Sequence, residues 1–235
     1  MSEIYLIRHA QASFGRDNYD KLSALGIKQA EILGNYFIRV GLKFHAFYCG
    51  SMERQIGTAK SVMSRLRGAE PSSGLRIADE FNEYDFQSVI KSLVPHMIRE
   101  DSSISEALPN IYTDRKAFQR VFEQAILRWI SGRYDLPGAE TWQAFSQRVR
   151  KGVNRVMEEN GPKKKIALFT SGGVVSAVMQ MALGLSDEGT IRLSWQIRNT
   201  SVSILKYSGK KFGLSSFNSV AHLEIRNEAE LLTYR

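Results

Sequence analysis

The residues best suited to chemistry share one position in this sequence, because each follows the carboxyl end of a predicted strand. They are Arg8, His9, Arg54, Glu80, Glu83, Asp85, Ser171 and Gly172. In open α/β sheets, ligands bind outside the carboxyl ends of the strands. We therefore expect two arginines, a histidine, a carboxylate cluster and a glycine turn to meet on one rim of the sheet.

The chemistry that such a set favours is phosphoryl transfer. Planar guanidinium groups bind phosphate oxygens through paired hydrogen bonds, and their charge stabilises the transition state. A neutral His9 can accept a phosphoryl group, and neighbouring arginines disfavour its charged form. The leaving alcohol needs a proton, which Glu83 or Asp85 can supply if clustering raises the pKa of one carboxyl group.

Ser171 lies in the stretch IALFTSGGVVSAV, residues 166–178, where a buried strand turns into a helix. Its hydroxyl has three interpretations: a nucleophile, a phosphate contact, or the N-cap of the helix. The turn does not read Gly-x-Ser-x-Gly and no histidine base stands in a recognisable order, which disfavours the nucleophile. The phosphate contact and the N-cap both stay open.

Composition narrows the class of protein. The chain has 235 residues, 43% of them hydrophobic, and its one cysteine, Cys49, excludes an intramolecular disulfide and favours a reducing compartment. The apolar run at residues 4–7 is too short for a signal peptide, and no run reaches about 18 apolar residues, so we expect a cytoplasmic protein outside membranes. The net charge of +8 is scattered, which disfavours nucleic acid, and no spacing predicts a metal site.

Hydrophobic periodicity and capping signals predict alternating strands and helices. The predicted strands are 4–7, 44–49, 75–78, 165–170, 201–207 and 212–217, and the predicted helices are 22–41, 52–68 closed by Gly68, 114–132, 141–160 and a helix from 174. Residues 86–132 are helical and poor in strands. This order predicts an α/β three-layer sandwich with a mostly parallel central sheet and an inserted helical lid.

Five ordered segments resemble the histidine phosphatase superfamily in its phosphoglycerate mutase-like branch. IYLIRHAQAS is similar to the opening Arg-His-Gly signature, with Ala10 in place of glycine. LSALGIKQA resembles Leu-Thr-x-x-Gly-x-x-Gln-Ala, and GSMERQIGTA resembles Ser-x-Leu-x-Arg-Ala-x-Gln-Thr-Ala. EFNEYDF is similar to the segment that holds the general acid, and LPGAETWQAFSQRV to the Gly-Glu-Ser segment with its helix.

The resemblance implies a role for most of the candidate residues. His9 is implied as the nucleophile, Arg8 and Arg54 as phosphate ligands, and Glu83 as the acid, with Asp85 its main rival. One phosphoglycerate mutase-like domain over residues 1–235 is implied, with a helical insertion at about 86–132. We expect His45, His96 and His222 to have packing or surface roles. Asn199 and Thr200 are expected to belong to a loop.

Two departures from the family pattern bear on activity. Ser171 stands where the family has a second histidine, and Gly15 stands where it often has asparagine. A serine hydroxyl donates one hydrogen bond but no positive charge, and the loss of one strong donor typically costs about 10²- to 10³-fold in rate. We therefore assign Ser171 and Gly172 to phosphate binding, and predict that Ser171→His raises turnover.

The expected function is a metal-independent phosphatase that needs no cofactor, acts on a small phosphorylated substrate and forms a phosphohistidine at His9. Hydrolysis is favoured over mutase activity, because nothing in the sequence indicates a site that excludes water. The alternative is a catalytically impaired relative that binds a phosphorylated ligand or partner. The observation that suggests it is Ser171. The sequence specifies neither the natural substrate nor the oligomeric state.

Overall fold

The computed structural model describes residues 1–13, 20–66, 74–110, 114–134 and 136–234. Six strands lie in these ranges: β1 (Ser2–Arg8), β2 (Ala46–Cys49), β3 (Leu75–Ile77), β4 (Lys165–Thr170), β5 (Val202–Ser208) and β6 (Lys211–Ser219). The α-helices described are α1 (Ala24–Arg39), α2 (Glu53–Arg65), α3 (Phe86–Glu100), α4 (Ser103–Ala107), α5 (Arg115–Ser131), α6 (Trp142–Asn160), α7 (Gly172–Leu183), α8 (Asp187–Ser194) and α9 (Ala221–Glu224).

The six strands form one sheet in the order β3-β2-β4-β1-β5-β6. The first four are mutually parallel, whereas β5 runs antiparallel to β1 and β6 antiparallel to β5. Strand β4 is buried along five of its six residues, as expected for a parallel strand covered on both faces. The prediction of an α/β fold with a mostly parallel sheet is confirmed.

Alternate residues of the central strands enter two different cores. In β1, Ile4 and Leu6 pack into the core under α5, α6 and α7, whereas Tyr5 and Ile7 pack into the core under α1 and α2. Because side chains alternate across a strand, a helix layer on each face buries both sets. The architecture is therefore three layers, with the sheet in the middle.

The helices described within residues 86–110 and 114–131, namely α3, α4 and α5, form a block that packs into the first of these cores. Leu93 and Trp129 are buried together with Phe145 of α6, and the Trp129 indole donates to the carbonyl oxygen of Glu140 at 2.7 Å. The predicted helical character of the block is confirmed. That it acts as a lid and forms an insertion within one domain stays a prediction.

Several element bounds differ from those predicted. Strand β2 begins at Ala46, so that the exposed His45 precedes it, and α7 begins at Gly172 rather than at 174. Helix α8 was not predicted, because eight residues with a mixed pattern give little periodicity; Ser186 caps it by accepting from the N–H of Gly189. The predicted stop at Gly68 lies outside the described residues. None of the described helices is both long enough and apolar enough to cross a bilayer.

Candidate active site

The ends of two adjacent parallel strands bring His9 and Ser171 to the same rim. Arg8 is the register partner of Thr170, so the residues that follow them leave the sheet side by side. The backbone N–H of His9 donates to the carbonyl oxygen of Thr170 at 2.8 Å, which extends the ladder by one step. The predicted convergence of these two segments is therefore confirmed.

The loop after His9 is held by hydrogen bonds to α1 and α2, the helices that cover one face of the sheet. The N–H of Ala10 donates to Thr58 Oγ1 and the N–H of Gln11 to Gln29 Oε1, both at 2.9 Å. Gly26 is needed for this approach, because a Cβ there would lie 2.1 Å from the carbonyl oxygen of Gln11. The glycine and glutamine of the LSALGIKQA segment are thus explained by the support they give to the loop.

The hydrogen bonds of His9 determine which ring nitrogen carries the proton. His9 Nδ1 lies 2.8 Å from the carbonyl oxygen of Ala10, which can only accept, so Nδ1 is protonated and Nε2 keeps its lone pair. The Nε of Arg54 donates to this Nε2 at 3.2 Å. Burial lowers the pKa of His9 well below its usual value, and the charges of Arg54 and Arg8 lower it further. His9 is therefore a neutral imidazole with a nucleophilic nitrogen beside a guanidinium.

Both arginines of the site are held by contacts with other parts of the fold. Arg54 Nη1 forms an ion pair with Asp20 Oδ1 at 2.5 Å, and the other oxygen of Asp20 accepts from the N–H of Glu53 at the start of α2. Arg8 Nη1 donates to the carbonyl oxygen of Ile197. A Cβ added at Gly172 would lie 3.7 Å from Arg8 Nε, which places this guanidinium against the start of α7.

Glu83 is the carboxyl group that reaches the site. Its Oε2 accepts from the N–H of Gly173 at 2.9 Å, and a Cβ at Gly173 would lie 2.1 Å from its Oε1. Burial raises the pKa of Glu83, although the bond from Gly173 and the charges of Arg54 and Arg8 oppose the rise. The expected cause, clustering of carboxylates, is wrong. Desolvation against α7 raises the pKa instead.

The other carboxylates of the predicted cluster turn away from the rim. Asp85 caps α3 by accepting from the N–H groups of Gln87 and Ser88, and Glu80 binds Arg155 at 2.9 Å. Although burial raises the pKa of Asp85, hydrogen bonds from Ser88 and Gln87 leave it below its usual value. The expected convergence of the whole cluster is therefore wrong, and the geometry favours Glu83 over Asp85.

Ser171 occupies the N-cap position of α7, but among the described residues its side chain makes no capping hydrogen bond. Its Oγ accepts instead from Gln55 Nε2 at 2.8 Å, and the residue is fully buried. The interpretation of Ser171 as a helix cap alone is wrong. An amide donor cannot act as a base, so this contact gives no support to a serine nucleophile.

A family model described as the histidine phosphatase superfamily (branch 1) matches residues 4–103 and 96–220, which together span residues 4–220. The chain belongs to this superfamily. The match includes the residues of the rim. An enzyme of the phosphatase type is the class that this membership supports.

Three solved structures with a similar fold align with nearly the whole chain. A phosphoserine phosphatase of Entamoeba histolytica in complex with phosphoserine is 16% identical, with a TM-score of 0.65 over 95% of this chain and 100% of its own. The alpha-ribazole phosphatase of Shigella flexneri is 22% identical, with a TM-score of 0.61 over 92% and 96%. A phosphoglycerate mutase of Bacillus anthracis is 16% identical, with a TM-score of 0.62 over 97% of both chains. These likenesses establish the fold.

A curated relative matches a shorter stretch. The mitochondrial serine/threonine-protein phosphatase Pgam5 of Caenorhabditis briggsae is 33% identical over 81 residues, which are 34% of this chain. The chain spans only 28% of that protein's length.

The departure from the superfamily pattern at Gly15 lies outside the described residues.

Sequence reasoning missed two residues that hold the backbone of His9. Asn199 Nδ2 donates to the carbonyl oxygen of His9 at 3.0 Å, and the N–H of Thr200 reaches the same oxygen at 3.4 Å. Thr200 has a φ of +54° and contacts Nε2 of the buried His222 at 3.0 Å. Both residues were expected to belong to an ordinary loop, because no periodicity marks them. The packing role expected for His222 fits this contact.

Proposed function

We propose that the protein is a metal-independent phosphomonoester hydrolase that acts through a phosphohistidine at His9. The observation that carries the proposal is the neutral His9, whose Nε2 lone pair faces Arg54 Nε at 3.2 Å. This arrangement supplies a nucleophile that is already deprotonated and a cation to hold the group that it attacks. The proposed substrate is a small phosphorylated molecule, and the proposed reaction needs no cofactor.

The first half of the proposed reaction forms the phosphoenzyme. Arg8, Arg54, the hydroxyl of Ser171 and the N–H of Gly172 bind the phosphate oxygens. His9 Nε2 attacks phosphorus while the bond from phosphorus to the leaving oxygen breaks. Protonated Glu83 gives its proton to that oxygen, a role for which its raised pKa suits it. The alcohol then departs.

The second half releases phosphate. Water attacks the phosphohistidine, the bond between phosphorus and Nε2 breaks, and the Glu83 carboxylate takes up the proton that the water loses. This returns His9 with its lone pair and Glu83 in its acid form. We favour hydrolysis over mutase activity because no sequence feature indicates a site that retains the phosphoenzyme. A cytoplasmic location belongs to the same proposal and rests on the single buried Cys49.

The rival function is a relative that binds a phosphorylated ligand or partner without turning it over. The observation that favours it is Ser171, which supplies a hydroxyl where the superfamily pattern has an imidazole. The loss of one charged donor predicts slower catalysis rather than its absence. The two functions therefore differ in whether turnover depends on His9.

The experiment offers purified protein an aryl phosphate with and without a chelator, alongside His9→Ala. We expect release of phosphate that survives the chelator and falls at least about 10³-fold in His9→Ala. His45→Ala is the matched control, since His45 is exposed at the other end of the sheet and should leave the rate unchanged. Equal background rates in all three proteins would favour the binding function.

A further inference from the structure

The contact between Gln55 and Ser171 joins two positions that both depart from the superfamily pattern. The segment that GSMERQIGTA resembles has alanine at the position of Gln55, and Ser171 stands in place of a histidine. In the fold, Gln55 Nε2 donates to Ser171 Oγ at 2.8 Å across 116 residues of sequence. Both side chains are fully buried at the rim of the site.

The orientation of the Gln55 amide is fixed by a neighbouring carbonyl group. Its Nε2 also donates to the carbonyl oxygen of Phe81 at 3.0 Å, and a carbonyl oxygen can only accept. The amide nitrogen therefore faces Phe81 and Ser171, and the serine oxygen is the acceptor. The hydroxyl proton of Ser171 must then point elsewhere, and no described residue accepts a hydrogen bond from it.

This arrangement leaves one buried atom without a hydrogen-bond partner among the described residues. Gln55 Oε1 makes no hydrogen bond to any described residue, and it lies so close to Gly50 that a Cβ there would be 2.0 Å away. A buried acceptor left unpaired is destabilising. Alanine at position 55 would avoid this penalty, which argues that the glutamine is present for its donor.

We infer that Gln55 is a positioning residue that aims the Ser171 hydroxyl at the phosphate, and that the pair together replaces the second histidine. The inference rests on the proposed function in that the acceptor is a phosphoryl oxygen. Gln55 acts through Ser171 and need not touch the substrate. A hydroxyl whose oxygen is already bonded to an amide donor has a fixed direction and becomes a better donor itself.

The inference changes the expected effect of restoring the histidine. The buried Gln55 amide lies within hydrogen-bond distance of Ser171 Oγ, so an imidazole at position 171 must displace this amide. Ser171→His alone should therefore not raise turnover, in contrast to the expectation from sequence. The double variant Gln55→Ala/Ser171→His should have a higher turnover than Ser171→His alone. Its pH–rate profile should also show the titration of the introduced imidazole.

The decisive experiment is a double-mutant cycle with Gln55→Met and Ser171→Ala. Methionine keeps the volume of glutamine but donates nothing, while the carbonyl of Phe81 keeps its bond from Thr170 at 2.7 Å, so the fold should survive. Loss of one hydrogen bond to a charged group lowers kcat about 10- to 100-fold. With an aryl phosphate, we expect this loss in each single variant and little further loss in the double variant.

A second measurement separates this inference from the proposed function. In a His9→Ala background, the affinity for inorganic phosphate is measured by calorimetry for the same four combinations. Non-additive losses of affinity would support the pair even if the wild-type protein shows no turnover. Additive losses, or a gain of turnover from Ser171→His alone, would overturn it.

Discussion

The two sides of the active site are built in different ways. On the His9 side, the residues Arg8–Gln11 are held by side chains from three separate parts of the fold, namely Gln29, Thr58 and Asn199. On the Ser171 side, the residues Ser171–Gly173 open a helix. Among the described residues, two side chains from elsewhere form hydrogen bonds with them, those of Gln55 and Glu83. The first side is a backbone fixed at several points, whereas the second is a helix terminus with few attachments.

This difference explains where the chain departs from its superfamily pattern. A loop whose N–H and C=O groups are bonded to two helices and to Asn199 tolerates little change, and the departure within residues 8–11 is small. Ala10 is buried and is not one of the four described non-glycine residues with a positive φ, so its methyl group needs no special backbone. On the Ser171 side, by contrast, an imidazole is replaced by a hydroxyl, and a glutamine fills the adjoining space.

The largest effect that we predict in this comparison is on the Ser171 side, from Glu83→Gln. The raised pKa of Glu83 keeps the acid form present to higher pH, so the rate that depends on it is full below this pKa and falls as pH rises through it. Removing the acid should lower kcat by about 10²- to 10⁴-fold and abolish this alkaline limb. Alkyl phosphates should lose more than aryl phosphates, because an alkoxide needs the proton and a nitrophenolate does not.

Asp85→Asn is the control for Glu83→Gln, since Asp85 lies two residues away and caps α3. Because asparagine caps a helix about as well as aspartate, this variant should leave both the stability and the pH–rate profile nearly unchanged. A larger loss of kcat in the control than in Glu83→Gln would assign the acid to Asp85 instead.

The elements that carry the site could be predicted because their signals are local. Strand β4 was predicted with its observed bounds from a continuous apolar run, and α6 from Thr141, which caps it by accepting from the N–H of Ala144. Which carboxylate of the segment after β3 faces α7 could not be predicted, because the spacing of the carboxylates does not indicate which side chain points toward the site. Burial of one of them against Gly173 decides it.

Asn199 and Thr200, which hold the backbone of His9 from the loop before β5, were missed for a different physical reason. Strand β5 enters the sheet beside β1, so the loop before it meets the loop after β1. Asn199 and Thr200 act only through this juxtaposition of segments about 190 residues apart. A polar loop before a strand has no periodicity that would reveal it.

The next largest effect should come from Asn199→Ala, which tests the multiple attachments of the His9 side. The variant removes the bond from Nδ2 to the carbonyl oxygen of His9, while the weaker contact from Thr200 remains. We expect kcat/KM to fall about 10-fold and the free energy of unfolding by about 1 kcal/mol. Asn160→Ala is the control, because it also removes side-chain bonds but lies at the far end of α6. It should lower stability alone. Equal loss of activity in both variants would contradict the positioning role.

The last predicted effect is on stability rather than on rate and concerns His222, which contacts Thr200 behind His9. The hydroxyl of Thr200 donates to the carbonyl oxygen of Asn199, so its oxygen accepts from His222 Nε2. Burial disfavours the charged imidazole, so the ring is neutral. Burial lowers the pKa of His222 to about 3, compared with about 6.5 in the unfolded chain. The stability that depends on the neutral ring is therefore present above pH 6.5 and is lost as pH falls from there toward 3.

His222→Gln removes this titration while an amide donor can still reach Thr200. Between pH 7 and pH 5, the wild-type protein should lose about 2 kcal/mol more of its free energy of unfolding than the variant does. Urea unfolding at the two pH values measures the difference, and His45→Gln, at an exposed imidazole, should behave as the wild type. If the gap between wild type and His222→Gln is the same at both pH values, the buried imidazole does not limit the His9 side in acid. The smaller number of attachments on the Ser171 side would then be no disadvantage at low pH.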